Sequence, residues 1–233
     1  MTSLLKDYIA LLKNRDFFIL TLIIFIRQIA SAFLILSLIV SVFKQTGSSF
    51  GVSGVILSFA VPSFLLMTLS GLIADLFDRR IIILVANTAI ALVVLLILVS
   101  NQTIYASIPL AFLYFAGSTF FIPASSAATA QLVRRDQLLI ANSIFIFALA
   151  GGIILGLFSA AIVSFFVGPR AVLFVCEILL IMAAATSFFL PVLVPRKRSD
   201  SSLFATIRDI WRGFVYIFVR RSIWFFFAMF AAI

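Results

Sequence analysis

A chain of 233 residues that is 64% hydrophobic and only 11% charged falls far below the roughly 25% charge of a soluble domain, and reads as an integral membrane protein. Its net charge of +9 calls for no nucleic-acid partner, because the lysines and arginines lie in short loops beside apolar runs. With no His, and with Cys176 alone inside an apolar segment, imidazole chemistry, an intrachain disulfide and a thiolate metal cluster are excluded.

Residues 1–16 alternate charges with Leu4, Leu5, Tyr8, Ile9, Leu11 and Leu12 at helical spacing, which predicts an amphipathic helix lying on the cytoplasmic surface. The lysines, aspartates and arginine of this stretch precede an apolar run far too long for a cleavable signal. A first span is expected over Phe17 to Val42, closed by the polar loop Lys44–Ser49. The second covers Val52 to Ala74, with Pro62 near its middle as the expected site of a kink. The third runs from Ile81 to Val99. The fourth, Ile104 to Gln131, carries Pro109 and Pro123, and Arg134-Arg135-Asp136 turns the chain back. The fifth covers Leu138 to Val167, and Gly168-Pro169-Arg170 is a tight turn into the sixth, Ala171 to Val194.

Beyond the six-helix bundle of residues 17–194, residues 195–221 read as a basic linker with a second amphipathic helix. Residues 222–233 form a seventh apolar run. Twelve residues of helix reach about 18 Å, short of the ~30 Å hydrocarbon core, so the run is read as the start of a truncated span. With the N-terminus in the cytoplasm, fourteen of the seventeen lysines and arginines fall on the cytoplasmic side, which sets the expected orientation.

The hairpin between the second and third spans packs Asp75, Asp78, Arg79 and Arg80 into six residues. Asp75 falls at the C-terminal end of its helix, where the dipole disfavours an anion, so it needs a cationic partner or a facing helix N-terminus. Gly71, one turn earlier, leaves room for another backbone. The stretch is either a solvated turn or a conformational latch that grips another helix in one state and releases it in another. Within the spans, Arg27 and Gln28 sit ten residues into the first, near the bilayer midplane, where an arginine costs at least about 2.5 kcal/mol unless it faces protein or water. Arg27 is a candidate for anion or substrate contact, for a counter-ion, or for a structural ion pair. Glu177 is the one carboxylate deep in a span. It is read as a protonatable coupling site, as a neutral hydrogen-bonded acid, or as a partner of Arg170 or Arg27. Ala148, Gly152, Gly156 and Ala160 place small residues at every fourth position of the fifth span, a stripe for close helix packing or sliding.

Read together, these features resemble the amino-terminal half of a major facilitator superfamily transporter. Gly71-Leu72-Ile73-Ala74-Asp75-Leu76-Phe77-Asp78-Arg79-Arg80 is similar to that family's signature loop between helices two and three, departing at Leu76 where a basic residue is usual. Phe121-Ile122-Pro123-Ala124, Leu132 to Leu138, and Ala141-Asn142 resemble the macrolide-efflux and siderophore-exporter branch. Leu155-Gly156 resembles the antiporter motif of helix five, with Leu157 where that motif has proline. The resemblance implies two six-helix halves working by alternating access around a midplane cavity, with Arg27 facing the cavity and Asp75 meeting a helix of the second half.

The expected function is therefore secondary active transport, as proton-coupled efflux of amphipathic, drug-like or siderophore-like molecules across the bacterial inner membrane. The expected partners are the small-molecule substrate, the lipid bilayer and the missing C-terminal half, since the chain reads as a fragment of a longer transporter. The competing readings are a half-transporter needing a partner chain and a non-transporting structural or assembly protein. An Arg27 open to water would favour transport, and a fully packed one the structural protein. With no nucleophile–base pair, metal-ligand cluster or phosphate loop in the sequence, an enzyme is not expected, and neither a cofactor nor a metal is called for.

Overall fold

The protein's structure is a computed structural model that describes residues 8–100 and 103–194. The basic linker at 195–221 and the apolar run at 222–233 lie outside the described residues. Every regular element described is helical: α1 (Arg15–Thr46), α2 (Ser49–Leu76), α3 (Arg79–Val99), α4 (Ile104–Thr119), α5 (Phe121–Leu132), α6 (Leu138–Phe166) and α7 (Pro169–Ser187), with a 3-10 turn at Arg135–Gln137. As α4 and α5 run on as one span, these make six helices long and apolar enough to cross a membrane.

Local chemistry sets the helix ends. Asn14 caps α1, its Oδ1 accepting from the Asp16 and Phe17 amides, while its Nδ2 donates to the Leu132 carbonyl at 3.0 Å. The start of the first span is thus tied to the end of the fourth. Gly47 ends α1 at φ 62°, a conformation that costs a residue without a side chain nothing, and Ser48 caps α2 through the Phe50 amide. Residues 8–12 are helical, and Leu11 is buried against Phe17, Ala141 and Ile144. Residues 8–12, the described part of the helix expected over residues 1–16, thus pack onto the end of the bundle through Leu11.

Two spans differ from their sequence reading, both because of proline. The fourth breaks at Phe120. Pro123 has no amide proton, and its ring crowds the Thr119 carbonyl one turn back, which interrupts the helix there. The sixth span ends at Ser187, well short of Val194. Pro191 disfavours helix at Leu190, and residues 188–194 leave the helix to pack Leu190 and Leu193 into the core beside Leu20, Ile83 and Phe121.

The first span is the axle of the bundle. It packs most extensively on α6 and α7, while α2 lies against α4, and α3 joins α7 to α4 and α5. The small-residue stripe of α6 makes the α1 contact. Ala148, Gly152, Gly156 and Ala160 are all buried. A Cβ built on Gly152 would stand 2.7 Å from the Cβ of Gln28 and 2.9 Å from the Phe25 carbonyl oxygen. One on Gly156 would stand 2.7 Å from the Cβ of Ala32 and 2.9 Å from the Cα of Ile29. These are backbone-to-backbone contacts that no rotamer change can relieve. Gly156→Ala is expected to cost about 1–3 kcal/mol by overpacking. Gly151→Ala, whose new methyl would meet Phe25 only at 3.8 Å, is expected to be neutral or to stabilise by up to about 1 kcal/mol. Thermal unfolding of the two variants in detergent checks this, and equal melting temperatures would remove the seam from the account.

Candidate functional site

Arg27 lies twelve residues after the start of α1, about 18 Å along the helix, and is 1% exposed. No acidic group among the described residues meets it. Its Nη2 donates to Ser118 Oγ at 2.7 Å, and its guanidinium carbon sits 3.9 Å from the centre of the Phe121 ring. Nε is buried without a partner. The clamp follows from the break at Phe120: Ser118 lies in the last turn of α4 and Phe121 is the first residue of α5, and the interruption brings both to one guanidinium. A desolvated cation–π contact is worth up to about 2 kcal/mol and a hydrogen bond to a charged group about 1.5–3 kcal/mol, enough together to hold a charge that cannot reach water.

A second rung lies one turn along. Ser31 and Tyr114 share a hydrogen bond of 2.8 Å, with Tyr114 fully buried. Arg27 and Ser31 are four apart on α1, Tyr114 and Ser118 four apart on α4, and the helices run antiparallel, so the pairs meet as a two-rung polar ladder. Backbone contact between α1 and α4 is slight, so these side chains are the main tie between them. Ser118 and Tyr114 were not singled out from sequence as partners of Arg27. The signal available was the matching one-turn spacing of polar residues on two spans.

The structure does not bring the expected residues into one site. Arg27 and Glu177 form no ion pair, and neither do Glu177 and Arg170; the ion pair found among the described residues is Arg134–Asp136, exposed and worth little. Glu177 is 9% exposed in α7, with Oε2 buried and unpartnered. Gln28 is turned to the Gly152 seam. Nor does Arg27 face a cavity directly, as the resemblance implied. A groove of about 280 Å³ between α2 and the α4–α5 break is lined by Ser63, Ser70, Ser118 and Thr119 among Phe59, Phe115 and Ile122, and Arg27 reaches it only through Ser118. A larger, almost wholly apolar groove of about 600 Å³ lies along α2 and α4 beside Ser58 and Pro109. A further buried pair, Asn87 Nδ2 to Ser187 Oγ at 3.0 Å, joins α3 to α7.

In the hairpin between α2 and α3, the charged residues divide into two groups. Asp75 is exposed and makes no hydrogen bond or ion pair with the described residues, and a Cβ on Gly71 would meet open space. No described backbone uses the room at Gly71. Asp78, by contrast, is committed within the bundle. Its Oδ1 accepts from the Arg80 amide at 2.9 Å, capping α3, and from the Leu193 amide at 3.0 Å. The Arg79 amide donates to the Leu193 carbonyl, and Arg80 Nη2 to the Phe188 carbonyl. The Arg79 side chain is buried with Nε and Nη1 unpartnered.

The sequence model of the Major Facilitator Superfamily matches residues 17–233. The chain belongs to that family. A comparison with curated proteins finds no match. Major facilitator proteins are membrane transporters, and the family match spans the bundle that carries the Arg27 ladder, the grooves and the hairpin. On the accessibility of Arg27 alone the packed guanidinium would have favoured a structural protein; the family match decides for transport. Within this major facilitator bundle, Asp78→Ala removes a cap and a bridge and is expected to lower stability by about 1–3 kcal/mol, while Asp75→Asn leaves it within about 0.5 kcal/mol. Unfolding midpoints of the purified variants read the contrast; equal losses would return Asp75 to a structural role.

Proposed function

We propose that the protein is a secondary active transporter that exports amphipathic small molecules, of the macrolide or siderophore kind, across the bacterial inner membrane in exchange for protons. The observation that carries this reading is the groove beside the α4–α5 break. It offers apolar walls and a few hydroxyls, and behind it stands a buried cation that no described carboxylate neutralises. A molecule with a greasy body and a few polar groups matches such a surface. Arginine-rich turns at one end, against Lys44 and Arg170 at the other, support an N-terminus in the cytoplasm.

Alternating access requires contacts that form in one state only. Asp75 is suited to this role: exposed, without a partner among the described residues, and at a helix C-terminus that disfavours its charge. A helix N-terminus of the second half of the transporter would relieve that. Asp78, Arg79 and Arg80 hold the hairpin on its own half meanwhile, so that it moves with the bundle as one body. Glu177 is the proton carrier in this reading, a carboxylate within a span with one oxygen unpartnered. The small-residue seam of α6 supports a rigid half, since its contacts with α1 leave no slack.

The test is accumulation of a radiolabelled macrolide in cells stripped of their own efflux pumps and expressing the full protein. Accumulation is expected to fall several-fold and to recover with a protonophore. Asp75→Asn is expected to abolish the effect at normal protein abundance, and Glu177→Gln to leave downhill exchange while removing the response to a proton gradient. Accumulation that rises with expression, or a protonophore without effect, would overturn the export reading.

A further inference from the structure

The four hydroxyls of the groove between α2 and the α4–α5 break are not equivalent, and Arg27 is the reason. A serine or threonine hydroxyl carries one proton and two lone pairs. Inside a helix it commonly spends that proton on a backbone carbonyl of the preceding turn. Ser63 donates to the Phe59 carbonyl at 2.8 Å, Ser70 to the Met67 carbonyl at 2.7 Å and Thr119 to the Phe115 carbonyl at 2.9 Å. Each of these three can only accept from a ligand. Ser118 differs. It accepts from Arg27 Nη2 at 2.7 Å, and its own proton is given to no described residue. The guanidinium holds one of the oxygen's lone pairs, which turns the O–H away from Arg27, and Ser118 lines the groove.

We infer that Ser118 is the hydrogen-bond donor of this site, and that Arg27 is a positioning residue acting through it. The groove then selects amphipathic ligands carrying an exposed acceptor oxygen, and it discriminates against cations that lack one. Two features of the surroundings point the same way. A guanidinium polarises the hydroxyl it donates to, strengthening that hydroxyl as a donor. And the charge of Arg27 is balanced by no ion pair among the described residues, so the local field favours a partially negative oxygen and disfavours a cation. The remaining wall is apolar, from Phe59, Phe115 and Ile122, and accepts the body of the ligand. This deepens the transport reading and rests on it for the biological role of the site, but it can be tested by binding alone.

The experiment uses the full protein in lipid nanodiscs and two probes of similar size. Triphenylphosphine oxide presents one strong acceptor oxygen; methyltriphenylphosphonium is a cation with none. Equilibrium dialysis of each probe, corrected for empty nanodiscs, is expected to show tighter binding of the oxide. Ser118→Ala is expected to weaken the oxide by about five- to tenfold, the loss of one hydrogen bond, and to leave the phosphonium unchanged or tighter. Ser118→Thr, which keeps the hydroxyl, restores the oxide. Arg27→Met frees the Ser118 proton for its own helix, so it should weaken the oxide as much as Ser118→Ala, with no further loss in the double variant. If Arg27→Met does not fold, the two Ser118 variants decide the matter. An oxide affinity indifferent to Ser118, an equal loss of both probes in Ser118→Ala, or binding of neither probe overturns the assignment and leaves the transport reading to be judged by accumulation in cells. Oxide binding through Ser118 in a protein that moves no substrate upholds the assignment and overturns the transport reading instead.

Discussion

A guanidinium enclosed among hydrocarbon must be met by acceptors or by the face of a ring, and the rest of this bundle is consistent with that demand at Arg27. The residue sits in the helix that packs most extensively on α6 and α7 and is fully buried there, so it cannot escape to an edge. Its needs are met by Ser118 and Phe121, which only a broken helix brings to the same point. Pro123 breaks that helix by withholding an amide proton and crowding the carbonyl of Thr119. One proline thus shapes both the clamp on the cation and the wall of the groove beside it. The second rung, Ser31 with Tyr114, holds the same two helices in register one turn away.

Around this centre the half-bundle is held by contacts of different kinds at different levels. Along α1 and α6 the contact is backbone against backbone, made possible by Gly152 and Gly156. Between α3 and α7 apolar packing is joined by a buried amide–hydroxyl pair, Asn87 to Ser187. At the arginine-rich end, a carboxylate and two arginines tie the hairpin to the segment that follows α7, and Asn14 joins the first span to the fourth. Rigid movement of one half against another needs such distributed ties, because a body that yields internally transmits no motion. Asp75, paired with no described residue, stands outside them, at the tip of the body they define.

Much of the fold was legible in the sequence, because apolar length and the placement of arginines are properties of runs of residues and survive any local detail. Six spans, their order and the short turns between them came from that alone. Span four was read as unbroken and span six as too long, since hydropathy does not register that Pro123 and Pro191 interrupt a helix without interrupting an apolar run. The site was less legible. Arg27 stood out because a charge within a span is rare, but its partners did not, because serine and tyrosine within spans are common and only their pairing across two antiparallel helices gives them meaning. The hairpin shows the same limit. Asp75 was conspicuous by its place at a helix end, whereas the bridge from Asp78 to Leu193 depends on residues 115 apart in the chain that no local pattern connects.

The most direct test of this account asks whether water reaches Ser118 while the helix behind it stays dry. Cys176 is buried and serves as a silent background. In cells expressing the full protein, Ser118→Cys is expected to react with a small methanethiosulfonate reagent, and bound substrate is expected to slow that reaction. Ser125→Cys, at a position in α5 that is fully buried, is expected to stay unmodified. A cysteine at position 118 that reacts no faster than one at position 125 would contradict the central claim, that Arg27 acts on a water-accessible groove through the hydroxyl of Ser118.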